Sequence, residues 1–156
     1  MSQAGTPSKK RLAFLDLAAE QALFRGEIDG LAIACCTNER PLAGLAGLID
    51  WRLHGMISEN VRSGLLTGRA GECVYVPVTK FGRTLHLLFL GAGASETPGA
   101  RKSMPRESLK AFQSNFKSLK LKRFGLSLAD FGEEAITFIT ADIQESSEDS
   151  LFRVLQ

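Results

Sequence analysis

The sequence predicts an α/β fold, a three-layer α/β/α sandwich with a mixed sheet as its middle layer. Three observations carry the prediction. Leu31 to Cys36 is a continuous apolar run, the pattern of a strand covered on both faces, and Thr84 to Leu90 is a second apolar, strand-like segment. Two further stretches carry apolar residues at three-and-four spacing and so read as amphipathic helices. Strand-like and helix-like segments alternate along the chain, the order expected of a central sheet with helices packed on it. With 156 residues the chain fits one domain, able to bury a sizeable core without metals or disulfides.

Residues 1–10 are polar and read as a disordered tail, leaving 11–156 as a single domain. The apolar stretch Leu12 to Leu17 opens the first strand, and Leu31 to Cys36 forms the next. Thr37 to Pro41 is a loop, because proline and polar residues cluster there. From Leu45 the apolar residues 45, 48, 49, 53, 56, 57 and 61 share one helical face. Asp50 is placed to cap the main segment of that helix, and Gly64 suits its C-terminal stop. Cys73 to Val78 and Thr84 to Leu90 are strands joined by a hairpin at 80–83, and Pro77 puts the first of them at an edge.

A glycine-bearing loop, Gly91 to Gly99, leads through a basic linker to a helix whose buried face is Leu109, Phe112, Phe116 and Leu119. Phe124 to Leu128 alternates like a strand. Residues 131–145 read as a helix through Ala135, Phe138, Ile139 and Ile143, although Ile136 to Thr140 has strand-like composition. Leu151 to Leu155 is a closing strand.

Composition excludes several classes. Apolar residues make up 44% of the chain and charged residues 23%, and no apolar run approaches the roughly 20 residues of a membrane span. Ser8 to Arg11 before an apolar segment is superficially like a secretion signal. Asp16 and Glu20 interrupt that segment and no small-residue cleavage site follows, so the expected location is cytoplasmic. The three cysteines, Cys35, Cys36 and Cys73, sit in strand-like contexts and read as buried free thiols. With two histidines and no C-x-x-C pair, neither a metal nor any other cofactor is expected.

Net charge is only +2, but it is unevenly distributed: residues 101–123 hold eight Lys/Arg against Glu107, and 124–156 hold seven Asp/Glu against Arg153. A basic helix facing an acidic neighbour accounts for this. The alternative is a nucleic-acid-binding stripe formed by Arg106, Lys110, Lys117 and Lys120.

Asp50, His54 and Ser58 stand at i, i+4 and i+8, an acid, an imidazole and a hydroxyl in the order of a catalytic relay. A serine inside a helix has no free backbone donors for an oxyanion, so these read as a cap, a partly exposed histidine and a solvated serine. His86 reads as a core histidine with a hydrogen bond. Glu96 stands where the third glycine of a dinucleotide fingerprint belongs, which breaks that signal.

What remains are two glycine-bearing loops, each after a strand and each leading toward a helix. In an α/β sheet such loops gather at the carboxyl ends of the strands, where backbone N–H groups and a helix start can face an anion. The candidate cleft is Asn38, Gly44, Gly47, Asp50, Gly91, Gly93 and Ser95. The competing reading is that these glycines only permit close packing and tight turns.

Pro41 to Ser58, Arg62 to Glu72 and Leu87 to Gly93 together resemble the N-terminal domain of the leucine aminopeptidases, cytosolic hexameric metallopeptidases. The Leu-Ala-Gly, Asp-Trp-Arg and Thr-Gly-x-x-Gly-Glu elements occur in order over residues 31–93, and the likeness continues more loosely beyond. The resemblance implies a macro-domain-like fold, with peptidase chemistry in a separate C-terminal domain. Nothing here resembles that domain's Asn-Thr-Asp-Ala-Glu-Gly-Arg segment, so no aminopeptidase activity is expected.

The expected role is therefore a non-catalytic interaction or regulatory module with a protein partner or a second copy of itself. The alternative is a macro-type domain binding a small nucleotide or ADP-ribose-like anion. In ADP-ribose-binding macro domains an asparagine-rich loop and glycine-rich segments surround the ligand, and Asn38, Gly44, Gly47 and Gly91 to Gly99 fall in comparable order. Thr37-Asn-Glu-Arg-Pro41 replaces the Asn-Ala-Ala-Asn pattern there, and Glu39 is expected to repel a diphosphate. Some bacterial aminopeptidases of the family bind DNA, which supports the nucleic-acid alternative.

Overall fold

The computed structural model describes residues 12–95, 103–146 and 152–156. In chain order the elements are β1 (Leu12–Leu15), α1 (Ala19–Arg25), β2 (Gly30–Cys36), α2 (Gly44–Arg52), α3 (Met56–Arg62), β3 (Cys73–Lys80), β4 (Arg83–Gly93), α4 (Arg106–Leu119), β5 (Phe124–Ser127), α5 (Leu128–Phe131), α6 (Glu133–Ser146) and β6 (Phe152–Leu155). The strands form one mixed sheet in the order β1-β6-β5-β2-β4-β3. All neighbours are parallel except β3, which runs antiparallel to β4 as the hairpin requires. Pro77 lies on that outermost strand, where the missing N–H costs no ladder bond to a further strand.

All seven residues of β2 are buried, because helices cover both faces of the sheet there. Side chains alternate between the faces. Leu31, Ile33 and Cys35 join Ala22, Leu23, Ile49 and Ile57 of α1, α2 and α3 on one side. Ala32 and Ala34 face Leu109, Phe112, Phe116, Phe131 and Ile139 of α4, α5 and α6 on the other. The fold is the three-layer α/β/α sandwich that the run of elements implies.

The second face is built on an aromatic cluster. Leu109, Phe112 and Phe116 recur at helical spacing and are buried on one side of α4. Phe112, Phe116, Phe124 and Phe152 pack with ring centroids 4.9 to 5.7 Å apart, Phe116 stacked on Phe112 and Phe152 and edge-on to Phe124, joining α4 to β5 and β6. Each such burial stabilises the fold by about 1.5–3 kcal/mol. The amide of Gln113 donates to the Phe138 carbonyl at 3.1 Å and ties α4 to α6.

Several elements differ from the sequence reading. The helix expected to run on from Leu45 is two helices, broken at Leu53-His54-Gly55 by positive φ at His54 (59°) and Gly55 (83°). Leu48, placed on its buried face by spacing, is 54% exposed. The short helix α1 has no counterpart among the expected elements. β5 is buried at all four positions instead of alternating, and the chain turns at once into α5. β6 closes the sheet from inside, between β1 and β5. Gly91 and Gly93 belong to β4, not to a loop, and 96–99 lie outside the described residues, as does the tail at 1–10. Among the described residues no helix is long and apolar enough to cross a membrane.

Candidate functional site

The carboxyl ends of β2, β4 and β5 share one edge of the sheet, and three loops meet there. The amide of Asn38, just past β2, donates to the Ser95 carbonyl at 2.8 Å while its oxygen accepts the Ser95 N–H at 2.8 Å. The Thr37 N–H donates to the Gly93 carbonyl at 3.0 Å, and the Gly93 N–H to the Gly68 carbonyl at 2.8 Å. The segments after β2, after β4 and before β3 are thereby knitted together.

The segment before β3 is closed by its own acid. The Glu72 carboxylate accepts from the Thr67 N–H, the Gly68 N–H at 2.8 Å and the Thr67 hydroxyl at 2.7 Å. That is the chemistry of an anion-binding concavity with the anion supplied by the chain itself. Ser108, wholly buried in the first turn of α4, accepts from the Gly71 N–H at 2.8 Å and donates to the Gly91 carbonyl at 2.6 Å. α4 is thus fastened to both segments.

The glycines of the expected cleft divide into two kinds. A Cβ on Gly91 would overlap the Arg69 carbonyl, and one on Gly47 would come within 2.7 Å of the Leu42 carbonyl oxygen, so both serve close backbone packing. Gly44 begins α2 with φ of 60°, and Gly93 has φ of 77° with nothing within 4 Å of where a Cβ would stand. Gly93, Asn38 and Ser95 border the edge, and Gly44 follows the loop that leaves it after β2. The residue at the N-cap of α2 is Ala43, which gives no side-chain cap, so the first N–H groups of the helix lack one.

Asp50 is not at this edge in the capping role expected of it. It stands within α2, and its carboxylate accepts the Ser58 N–H at 3.0 Å and the Ser58 hydroxyl at 2.6 Å, capping α3 across the break. His54 sits exposed in the break itself. The three residues therefore form no acid–imidazole–hydroxyl chain. Glu39, expected to face a diphosphate, is 2% exposed and folded beneath the loop.

Sequence reasoning missed Asp130. β2 pairs with β5 only at Gly30 and Leu31, and the strands then part toward the carboxyl edge. Asp130, buried in α5, fills the split: its carboxylate accepts the Ala34 N–H at 2.9 Å, taking the place of a ladder bond. A single acid in residues 124–132 gives no signal of that role. The Ser127 hydroxyl accepts the Asp130 N–H at 3.2 Å and caps this turn.

His86 bonds the Tyr75 hydroxyl through Nδ1 at 2.6 Å, with the rings stacked 5.9 Å apart. Burial pushes its pKa below the usual 6.5, and the charge of Asp29 partly offsets this. Trp51 is 78% exposed, and Arg52 pairs with Glu20 and lies over the Phe24 ring. On α4, Lys110, Lys117 and Lys120 are exposed, whereas the Arg106 guanidinium lies over the Phe138 ring, 4.9 Å from its centroid. Among the described residues no three His, Cys, Asp or Glu side chains converge as metal ligands.

Comparison with solved structures places this topology. The macrodomain of Mycobacterium tuberculosis DarG superposes with a TM-score of 0.69 at 12% identity, covering 92% of this chain and 96% of its own. The fold is macro-domain-like. A tomato leucine aminopeptidase variant superposes with a TM-score of 0.60 at 17% identity over 93% of this chain, which spans about a third (32%) of that enzyme's length. Thermosipho africanus DarTG, solved in complex with ADP-ribose, gives a TM-score of 0.61 at 10% identity over 86% of this chain and 39% of its own. No protein-family model and no curated protein sequence matches this chain. At these identities the likeness establishes the macro-type fold and nothing narrower.

Proposed function

We propose that this macro-type domain binds, without turning it over, a small anionic ligand of the nucleotide or ADP-ribose class at the carboxyl edge where α2 begins. The observation that carries the reading is the start of α2, reached by the loop that leaves β2 through Asn38: Ala43 provides no side-chain cap, and the helix begins at a glycine. Free N–H groups and the positive end of the helix dipole favour an anion there. A protein of this fold solved with ADP-ribose supports the same class.

Calorimetric titration with ADP-ribose tests it, with Gly44→Asp as the variant. Aspartate tolerates positive φ better than most residues, and its charge suits a helix start, so the variant should fold. A carboxylate there should repel the ligand and weaken binding at least tenfold, about 1.4 kcal/mol. The absence of saturable heat up to millimolar ADP-ribose, or an unchanged affinity in Gly44→Asp, would refute the reading.

A second reading, a protein-interaction module, is favoured by α2 itself. Leu48 and Trp51, three residues apart, are 54% and 78% exposed on one helical face. An uncovered tryptophan beside a leucine is the composition of an interface anchor. Light scattering of the wild type and Trp51→Ala tests self-association: a dimer lost in the variant supports it, and a monomer at all concentrations removes the self-association form.

A further inference from the structure

A cavity of about 970 Å³ lies between the starts of α4 and α6, on the face of the sheet opposite α2. Among the described residues its lining takes Ser103 and Met104 from the segment after β4 but none of Asn38, Gly93, Ser95 or α2, so it is a different place from the start of α2. Its apolar wall includes Leu109, Phe131 and Phe138, and among the described residues Arg106, Glu133 and Glu134 are the charged groups around it. A space of this size holds a drug-sized molecule, and an apolar wall with a few charged groups is the usual make-up of such a site.

The charges narrow the class. Arg106 stands in the first turn of α4, where the helix dipole disfavours a cation, so helix stability does not account for it. Its guanidinium lies over the Phe138 ring at 4.9 Å. That contact uses the flat face of the group and leaves the in-plane N–H fork free for a carboxylate. Pro105 gives α4 no side-chain cap, which adds to the positive potential beside Arg106. Glu133 and Glu134, by contrast, stand at the start of α6, where two negative charges are well placed for that helix and oppose a polyanion. Glu133 and Glu134 outnumber Arg106 in the described lining, so an acid fits there only as a single charge paired directly with the guanidinium, carried on an apolar body.

We infer that this cavity binds an amphipathic monocarboxylate, an alkyl or aryl carboxylic acid, with its carboxylate on Arg106 and its body against Leu109, Phe131 and Phe138. Titration with decanoate and indole-3-acetate, followed by calorimetry and ligand-observed NMR, tests this. Decanoate should bind saturably, decanamide and decylamine at least tenfold more weakly. Arg106→Gln, an exposed position, should keep the melting temperature and lose at least tenfold in decanoate affinity. Thr137→Trp, which places an indole in the cavity from its exposed rim, should abolish binding. Absence of saturable binding by both carboxylates up to 5 mM (roughly the weakest range of a specific site), equal binding of the amide or amine, or an unchanged Arg106→Gln would overturn the inference. Displacement of decanoate by ADP-ribose would also overturn it. Decanoate binding without ADP-ribose binding would leave it standing and remove only the carboxyl-edge reading.

Discussion

Replacing Ser108 with alanine should be far more damaging than its conservative look implies. Ser108 is wholly buried, its hydroxyl donating to the Gly91 carbonyl at 2.6 Å and accepting the Gly71 N–H at 2.8 Å. Removal of the oxygen orphans one buried acceptor and one donor, each costing about 1–3 kcal/mol. Alanine recovers roughly 0.5 kcal/mol through its higher helix propensity. The net expectation is about 3 kcal/mol, a large part of the roughly 5–15 kcal/mol typical of a domain. The midpoint of thermal unfolding should fall by about 6–12 °C at this chain length. Urea unfolding measures the cost, and an unchanged m-value would show that the denatured state is the same. Ser118→Ala is the control, since Ser118 is exposed and donates only to the Asn115 carbonyl one turn back; it should change stability by less than about 0.5 kcal/mol. Amide exchange at Gly71 should accelerate in Ser108→Ala and stay slow in the control. A cost under about 0.5 kcal/mol for Ser108→Ala, or protected exchange at Gly71, would refute the reasoning that this hydroxyl fastens α4 to the edge.

Three other substitutions or measurements have definite expectations. Gly91→Ala places a methyl into the Arg69 carbonyl, a backbone atom that cannot rotate away, and should cost more than about 3 kcal/mol or prevent folding, as judged by urea unfolding or soluble yield. Asp50→Ala removes both bonds to Ser58 and should cost about 1–2 kcal/mol; His54→Ala, at an exposed site joined to neither, should cost less. Burial, with a smaller contribution from Glu72, pushes the Cys73 thiol from 9.0 up to about 12. At pH 8 it should react with a disulfide reagent roughly a thousandfold more slowly than a free thiol, and reaction at the free-thiol rate would contradict its burial. Because the unfolded thiol ionises first, its contribution to stability is whole below pH 9 and is lost as pH rises toward 12, a fall that Cys73→Ala should lessen.

What the sequence reveals follows from how local each signal is. β2 is legible because a central parallel strand must be apolar on both faces, and α4 because Leu109, Phe112 and Phe116 need only one helical period to be seen. The break between α2 and α3 is hidden, since the apolar spacing from 45 to 61 continues across it; the one clue is Gly55, whose positive φ together with that of His54 turns the chain. α1 buries only Ala19, Ala22 and Leu23, too few positions to establish a period. At the site, Asn38 and Gly44 are legible as a polar loop and a helix start. Asp130 is not, because its role depends on a split between β2 and β5 that brings it to Ala34, 96 residues away in sequence. The cavity between α4 and α6 is equally hidden: Leu109 reads as an ordinary core residue, and both it and Phe131 are buried.

The residues that produce the aminopeptidase resemblance turn out to carry structural duties. Thr67, Gly68 and Glu72 form a closed hydrogen-bonded loop, Gly47 makes room for the Leu42 carbonyl, and Asp50 caps α3. Each would be required by the fold whether or not a ligand ever bound. A loss of function on mutating those residues would therefore be confounded by a loss of structure. Gly44 and Arg106 are different: one starts a helix without a side-chain cap, and the other is an exposed cation at a helix end that disfavours it. Gly44 has no side chain to pack, and Arg106 is an exposed side chain resting over the Phe138 ring. Selective loss of ADP-ribose binding in Gly44→Asp and of decanoate binding in Arg106→Gln, both with unchanged melting, would separate ligand recognition from packing at two independent places.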